Sequence, residues 1–123
     1  MTFEDAVKNT IVKMEEAITI MRKTHPDKYG VLIAFFKKCG ICEKYYSPIL
    51  DRIHRIEDGC NDCPIKLESG YTCTQLPCFG HVSELVQKEE YTAAAEEIKV
   101  ILIPKLQELL ALKYKYQESN HDV

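Results

Sequence analysis

Six cysteines are the compositional excess of this chain of 123 residues, and all of them lie in its middle third. They are spaced as Cys39-x2-Cys42-x17-Cys60-x2-Cys63-x9-Cys73-x4-Cys78. Two Cys-x2-Cys pairs at this separation are typical of a four-thiolate zinc site, because each tight turn presents two sulfurs to one tetrahedral ion. The spacing therefore predicts a structural zinc ion held by Cys39, Cys42, Cys60 and Cys63.

Other arrangements of these thiols remain open. Six thiols and the nearby imidazole exceed what one ion needs, so the alternate ligands are Cys73, Cys78 and His81. An iron–sulfur cluster is a second interpretation, because Pro64 follows Cys63 as in some cluster motifs, although a Cys-x2-Cys-x2-Cys run is missing. Disulfides and redox thiols are further alternatives, and a last interpretation makes Cys73 and Cys78 small buried apolar side chains.

The residues around the first Cys-x2-Cys pair agree with a metal site. Gly40 permits the close backbone approach of such a turn, and Lys37, Lys38 and Lys44 would offset the double negative charge of a zinc ion with four thiolates. Four protein ligands leave no open position for water or substrate. The metal is therefore expected to be structural, and the protein is expected not to be an enzyme.

Apolar periodicity on either side of the cysteines predicts an all-α fold. We expect a first amphipathic helix from Thr2 to Lys23, with Thr2 as its cap, a second one from Glu43 to Ile56, and a long one from Ala93 to Tyr116 capped by Thr92. Shorter helices are expected at 31–38 and 82–88, and residues 60–80 are expected to form a Cys-rich loop region.

The first and last helices have similar predicted lengths, so we expect them to pack side by side in antiparallel fashion. The predicted architecture is a small helical bundle of one domain, 1–118, with a Cys-rich metal-binding insert at 39–81 and a frayed tail at 119–123. Pro104 is expected to kink the last helix, because it lacks a backbone donor and crowds the carbonyl of Val100.

The last helix carries two apolar stripes. The predicted buried face comprises Ile98, Ile101, Leu102, Leu106, Leu109 and Leu112 with Lys113. A second stripe comprises Val100, Ile103, Leu110 and Tyr114. Burial within the domain is one interpretation of this second stripe, and a homodimer through the helix at 98–114 is the other.

Absent sequence motifs and the net charge of the chain disfavour several functional classes. Nucleotide-binding, hydrolase and metalloprotease motifs are absent, and the carboxylates fall on polar helix faces, with Glu4–Lys8 and Glu84–Lys88 as i,i+4 pairs. A net charge of -3 disfavours nucleic acid as a partner, and a nucleic-acid accessory factor remains a second alternative.

The location of the chain is also an expectation from sequence. The N-terminus has no basic segment leading into an apolar one, and the longest apolar run, from Val100 to Ile103, is far shorter than the roughly 20 residues that cross a bilayer. We therefore expect a cytoplasmic protein without a membrane span.

The middle third resembles a loose group of small phage- and prophage-encoded proteins of unassigned function. The resemblance covers about 40 residues and consists of Cys39-Gly-Ile-Cys42-Glu-Lys-Tyr45, Cys60-Asn-Asp-Cys63-Pro64-Ile65 and Gly70-Tyr-Thr-Cys73. It implies that these cysteines, with Cys73 included, belong to one recurring site. An aromatic residue often stands near the position of Cys78 in that group, which puts Cys78 in doubt as a ligand.

The sequence as a whole predicts a zinc-stabilised helical module that acts by surface contact with a protein partner. The resemblance to phage proteins implies a viral origin and a partner in the host, such as a defence nuclease. The alternative from another class is an iron–sulfur or thiol redox protein, in which Cys73 and Cys78 take part.

Overall fold

The computed structural model of the chain describes residues 1–36, 39–46, 62–71 and 76–116, and the regular elements within these ranges are all helical. The all-α class is thereby confirmed for this part of the chain. In order, the elements are α1 (Phe3–Met21), α2 (Lys28–Phe36), α3 (Gly40–Tyr45), α4 (Pro64–Ser69), α5 (Pro77–Gln87), α6 (Tyr91–Glu97), a π-helical turn (Ile98–Leu102) and α7 (Ile103–Leu110). None of these helices is long and apolar enough to span a bilayer.

Helix α1 forms where the apolar periodicity predicts it. The hydroxyl of Thr2 accepts a hydrogen bond from the Asp5 N–H at 3.1 Å, which satisfies one of the donors that a helix start leaves open. The predicted i,i+4 pairs are also confirmed, at 2.7 Å for Glu4 and Lys8 and at 3.0 Å for Glu84 and Lys88. The apolar face of α1 is buried against α2, α3 and the C-terminal helices.

The start of α3 lies directly on the backbone of α1. A Cβ atom added to Gly40 would stand 2.8 Å from the carbonyl oxygen of Ala6 and 2.7 Å from the side-chain oxygen of Asn9, both closer than real Cβ contacts. Glycine is therefore required at this position because of the space between the helices. Ile41, the next residue, is fully buried in the core.

The predicted helix from Glu43 to Ile56 is wrong at its start. The structure begins α3 three residues earlier, at Gly40, and ends it at Tyr45, with Tyr46 in extended conformation. Pro48 explains this end, because it has no N–H to donate to the carbonyl of Lys44 and disfavours helical geometry at the residue before it. The remainder of that predicted helix, 47–56, lies outside the described residues.

The region predicted as a Cys-rich loop contains two helix starts. Helices α4 and α5 both begin with a proline, Pro64 and Pro77, at a position where the missing N–H costs nothing. Helix α5 thus starts five residues before the predicted Val82. The prediction of a helix at 31–38 is confirmed by α2, which begins three residues earlier, at Lys28, and whose described part ends at Phe36.

The C-terminal helix predicted from Ala93 is interrupted by the π-helical turn. Helix α6 begins at Tyr91 with Glu90 as its cap residue, so Thr92 is not the cap. The N–H of Ile103 donates to the carbonyl of Ile98, five residues back, and Pro104 follows at once. A kink is predicted at Pro104, and the structure has a widened turn just before this residue, where a residue without an N–H fits more easily.

The widened turn changes which apolar residues face the core. Ile101, predicted to be buried, is 37% exposed, whereas Ile103, assigned to the second stripe, is 8% exposed. Leu112, also predicted to be buried, is 36% exposed. Val100 and Tyr114 of the second stripe are exposed, so its four members do not form one continuous surface. The extra residue in the turn shifts the register of the helix and accounts for the exchange of Ile101 and Ile103.

Contacts at both ends connect α1 with the C-terminal helices. The ring of Phe3, at the start of α1, stacks on Tyr116 with a centroid distance of 4.9 Å. Arg22, just after the end of α1, lies 3.8 Å from the carboxylate of Glu96 in α6. Between these contacts, the core is filled by side chains of α1, α2, α3, α5 and the C-terminal helices.

We expect Gly40→Ala to destabilise the fold by about 1–3 kcal/mol, because the new methyl group forces α3 away from α1. The matched control is Gly80→Ala in α5, where an added Cβ meets nothing within 4 Å. This control should gain up to about 1 kcal/mol from the better helix propensity of alanine. Urea unfolding followed by circular dichroism measures both variants, and equal effects of the same sign would contradict the close contact.

We expect Glu89→Gly to stabilise the protein by about 0.5–1 kcal/mol. Glu89 is the second residue after the end of α5 and has a positive φ of 59°, a left-handed conformation that costs free energy for a residue with a side chain but not for glycine. Glu90→Gly is the control, since it removes the same charge from a residue with φ of -89°, where glycine relieves no strain, and it should not stabilise the protein. Thermal unfolding at one pH measures the melting temperature of both variants against the parent protein. A loss of stability in Glu89→Gly would refute the prediction.

Candidate functional site

The first predicted ligand pair stands at the start of α3. Cys39 is the residue that caps this helix, with an extended backbone, and Cys42 lies in its first turn. The two thiols are in hydrogen-bond contact with each other, and both side chains are half-buried. Local helix geometry thus brings together two sulfurs of the predicted zinc site.

Contacts with α1 hold this pair in place. The hydroxyl of Thr10 donates to the carbonyl of Ala6 at 2.9 Å and accepts a hydrogen bond from the Ile41 N–H at 3.3 Å. Lys44, predicted to offset the charge of a metal site, donates from Nζ to the carbonyl of Met1 at 2.6 Å. Helix α3 is therefore fixed to α1 at Ile41, before Cys42, and to Met1, which precedes α1, at Lys44, after Cys42.

The surroundings of Cys39 favour its neutral form. The neighbouring Cys42 thiol raises the pKa of Cys39 above its ordinary value, and burial raises it further. The Thr10 hydroxyl and the Cys42 backbone N–H act in the opposite direction but are outweighed. A bound cation would reverse this balance, because metal binding takes the proton from a thiol.

The other predicted ligands are distributed over the fold. Cys63, at the cap of α4, and Cys78, in α5, are buried at 6% and 7% exposure. His81 is exposed, and its Nδ1 lies 3.3 Å from a carboxylate oxygen of Glu97. Cys60 and Cys73 lie outside the described residues. Across the ranges that the structure describes, no three His, Cys, Asp or Glu side chains are grouped so that they could hold a metal ion.

The structure therefore joins Cys39 with Cys42 but does not group the described Cys63 with them, and the full ligand set stays a prediction. Burial of Cys78 among core side chains fits the interpretation of this residue as a small apolar side chain. The contact of His81 with Glu97 gives its imidazole a partner other than a metal ion.

Both thiols line a cavity of about 450 Å³ that the sequence analysis did not anticipate. Aromatic rings from two helices meet at its wall, where Phe35 stacks on Phe79 at 4.9 Å and Phe36 meets Phe79 edge to face. The remaining lining side chains are largely apolar: Thr10, Met14, Ile65, Glu68, Ser69, Leu76, Leu102, Lys105, Leu106, Glu108, Leu109 and Leu112. Phe79 was missed because it falls in the segment predicted as loop.

A polar contact ties the cysteine-rich part of the chain to its C-terminal end. The carboxylate of Glu68, in α4, accepts hydrogen bonds from Lys115 Nζ at 2.6 Å and from the hydroxyl of Tyr116. Lys115 and Tyr116 lower the pKa of Glu68, and burial together with Glu68 raises the pKa of Tyr116. The partners stand 47 and 48 residues from Glu68, so no local pattern could have predicted this contact.

Comparisons of the chain with models of protein families, with curated proteins and with solved structures found no match.

We expect the Glu68 contact to make stability depend on pH in the acid range. The pKa of the Glu68 carboxyl is lower in the folded chain than in the unfolded chain. The contact therefore contributes its full stability above the unfolded pKa of about 4.3. This stability is lost as the pH falls through the lower pKa of the folded chain. Glu68→Gln should therefore melt below the parent protein at pH 7, and the difference should shrink towards pH 2. Glu16→Gln, on the exposed side of α1, is the control. A difference that stays constant with pH would contradict this role for Glu68.

Proposed function

We propose that this chain is a non-enzymatic, zinc-stabilised helical module that acts by binding another protein. In this proposal Cys39, Cys42, Cys60 and Cys63 hold one structural zinc ion. The observation that carries the proposal is the contact between the Cys39 and Cys42 thiols at the start of α3. Two sulfurs in one tight turn are half of the ligand set of a tetrahedral zinc site.

A zinc ion bound by this pair would have to displace the thiol protons, because the surroundings of Cys39 favour its neutral form. The pKa of Cys39 is raised by its neighbour and by burial, so the pair does not ionise fully by itself at neutral pH. Zinc binds thiolates strongly enough to displace their protons, and the free energy of binding then adds to the free energy of folding. The metal would stabilise the segment between α3 and α4 in this way.

We also propose that α1 and the C-terminal helices pack in antiparallel fashion as a frame, with the metal-binding insert between them in sequence. The Phe3–Tyr116 stack and the Arg22–Glu96 ion pair support it, because each joins one end of α1 to the opposite end of the C-terminal helices. The Glu68 contact links α4 to that frame. Fixing the insert by zinc would then also fix the surface formed by the helices around it.

The proposal that this chain binds another protein is supported by the exposed surface of α2. Three large apolar side chains of this helix are exposed, at 74% for Tyr29, 68% for Ile33 and 46% for Phe36. Their spacing of four and three residues places them on one side of the helix. An apolar face of this kind is typical of a protein interface. The proposed partner is a protein, and the resemblance to phage proteins favours one from the host.

Elemental analysis of the untagged full-length protein, purified anaerobically, tests the metal. We expect about one zinc per chain and no visible absorption, since zinc has no colour and one tetrahedral site takes one ion. Cys60→Ser should lose the zinc and lower the melting temperature. Cys78→Ala, the matched control, should keep the zinc, because Cys78 is buried in the core.

Two outcomes would overturn the proposal. Iron with sulfide in the purified protein, accompanied by visible absorption, would replace the zinc site by an iron–sulfur cluster. Equal loss of zinc from Cys60→Ser and Cys78→Ala would show that the ligand set is wrong.

A further inference from the structure

We propose that Cys39 and Cys42 also form a reversible thiol switch, which a low-molecular-weight disulfide such as oxidised glutathione closes to an intramolecular disulfide. This inference deepens the proposed function and rests on it in one respect: the disulfide would withdraw two of the four zinc ligands. The switch itself needs only the two thiols and the oxidant.

The position of Cys39 outside the helical backbone makes the bond geometrically accessible. Residues three apart within a helix have Cβ atoms about 5–6 Å apart, whereas a disulfide needs about 3.5–4.5 Å. The helical Cβ spacing does not apply to Cys39, because its backbone is extended, with φ of -98° and ψ of 169°. Its carbonyl still accepts the Glu43 N–H at 2.9 Å, so the thiols already in contact can approach further without unwinding α3.

Accessibility distinguishes this pair from the other described cysteines. Cys39 and Cys42 are half-buried and line the cavity of about 450 Å³, so a small disulfide can reach their sulfurs. Cys63 and Cys78 are buried at 6% and 7% exposure and must wait for local opening before they react. Among the four cysteines that the structure describes, oxidation is therefore expected first at the Cys39–Cys42 pair.

The chemistry is a pair of thiol–disulfide exchanges. One cysteine sulfur, having lost its proton, attacks a sulfur of glutathione disulfide, whose S–S bond breaks and releases one glutathione as a thiol. The second cysteine sulfur then attacks the mixed disulfide and releases the second glutathione. In sum, two cysteine thiols are oxidised to one disulfide, one glutathione disulfide is reduced to two thiols, and the protons move to the leaving thiols.

The tryptic map of this chain allows a direct test. Cleavage after Lys38, Lys44, Arg55, Lys66 and Lys88 places the six cysteines pairwise in three peptides: 39–44, 56–66 and 67–88. The reduced full-length protein is incubated with oxidised glutathione, quenched with acid, alkylated and digested. Mass spectrometry then reports each pair as alkylated, as internally bridged or as a glutathione adduct.

We expect peptide 39–44 to appear in its internally bridged form. It should form on the order of tenfold faster than any modification of Cys63 or Cys78, because buried thiols react only after opening. Added reduced glutathione should reverse it. Glutathione adducts on 39–44 without a bridge, or reaction of Cys63 and Cys78 first, would overturn the proposal.

Two variants and a zinc measurement keep this result separate from the metal site. Cys42→Ser should leave Cys39 as a lasting glutathione adduct, while Cys78→Ala should bridge as the parent does, and circular dichroism confirms that both fold. Zinc is counted on the same samples. A bridge in a protein that binds no zinc leaves the switch standing and refutes the metal, whereas bound zinc with no bridge under any oxidising ratio refutes the switch alone.

Discussion

The close contact between α3 and α1 is the constraint on which the candidate site depends. There is no room for a side chain at Gly40, since any Cβ would stand 2.8 Å from the carbonyl oxygen of Ala6. This approach lets Thr10 accept the Ile41 N–H and buries Ile41 completely. The two thiols of the site stand on either side of Gly40 and Ile41 in the chain, so the position of these two sulfurs follows from the contact between α3 and α1.

One pair of sulfurs carries both proposals, and the physical reason is the same for each. A thiol beside another thiol in a half-buried place is held neutral by its hydrogen bond to that neighbour and by burial. A zinc ion or a covalent S–S bond would each take the protons from both sulfurs, the first by binding the thiolates and the second by oxidising the thiols. Metal loading and thiol redox state would therefore compete for Cys39 and Cys42.

Residue spacing predicted the Cys39–Cys42 pair because a Cys-x2-Cys segment brings its sulfurs together within one turn. It could not place Cys63 or Cys78, which the fold buries, nor the cavity wall formed by Phe35 and Phe79 from two different helices. Such neighbours are far apart in the chain, and only the packing of the helices determines whether they meet. The Glu68–Lys115 contact, across 47 residues, has the same origin.

The sequence by itself determined the all-α class, the first helix with its Thr2 cap and the i,i+4 ion pairs, because hydrogen bonds and periodicity within a few residues dictate them. The tertiary structure decided where α3 begins against α1, and it decided the register of the C-terminal helix, where the π-helical turn before Pro104 exposes Ile101 and buries Ile103. A shift of one residue in a helix costs little locally, so the core, which must be filled, selects which side chain points inward.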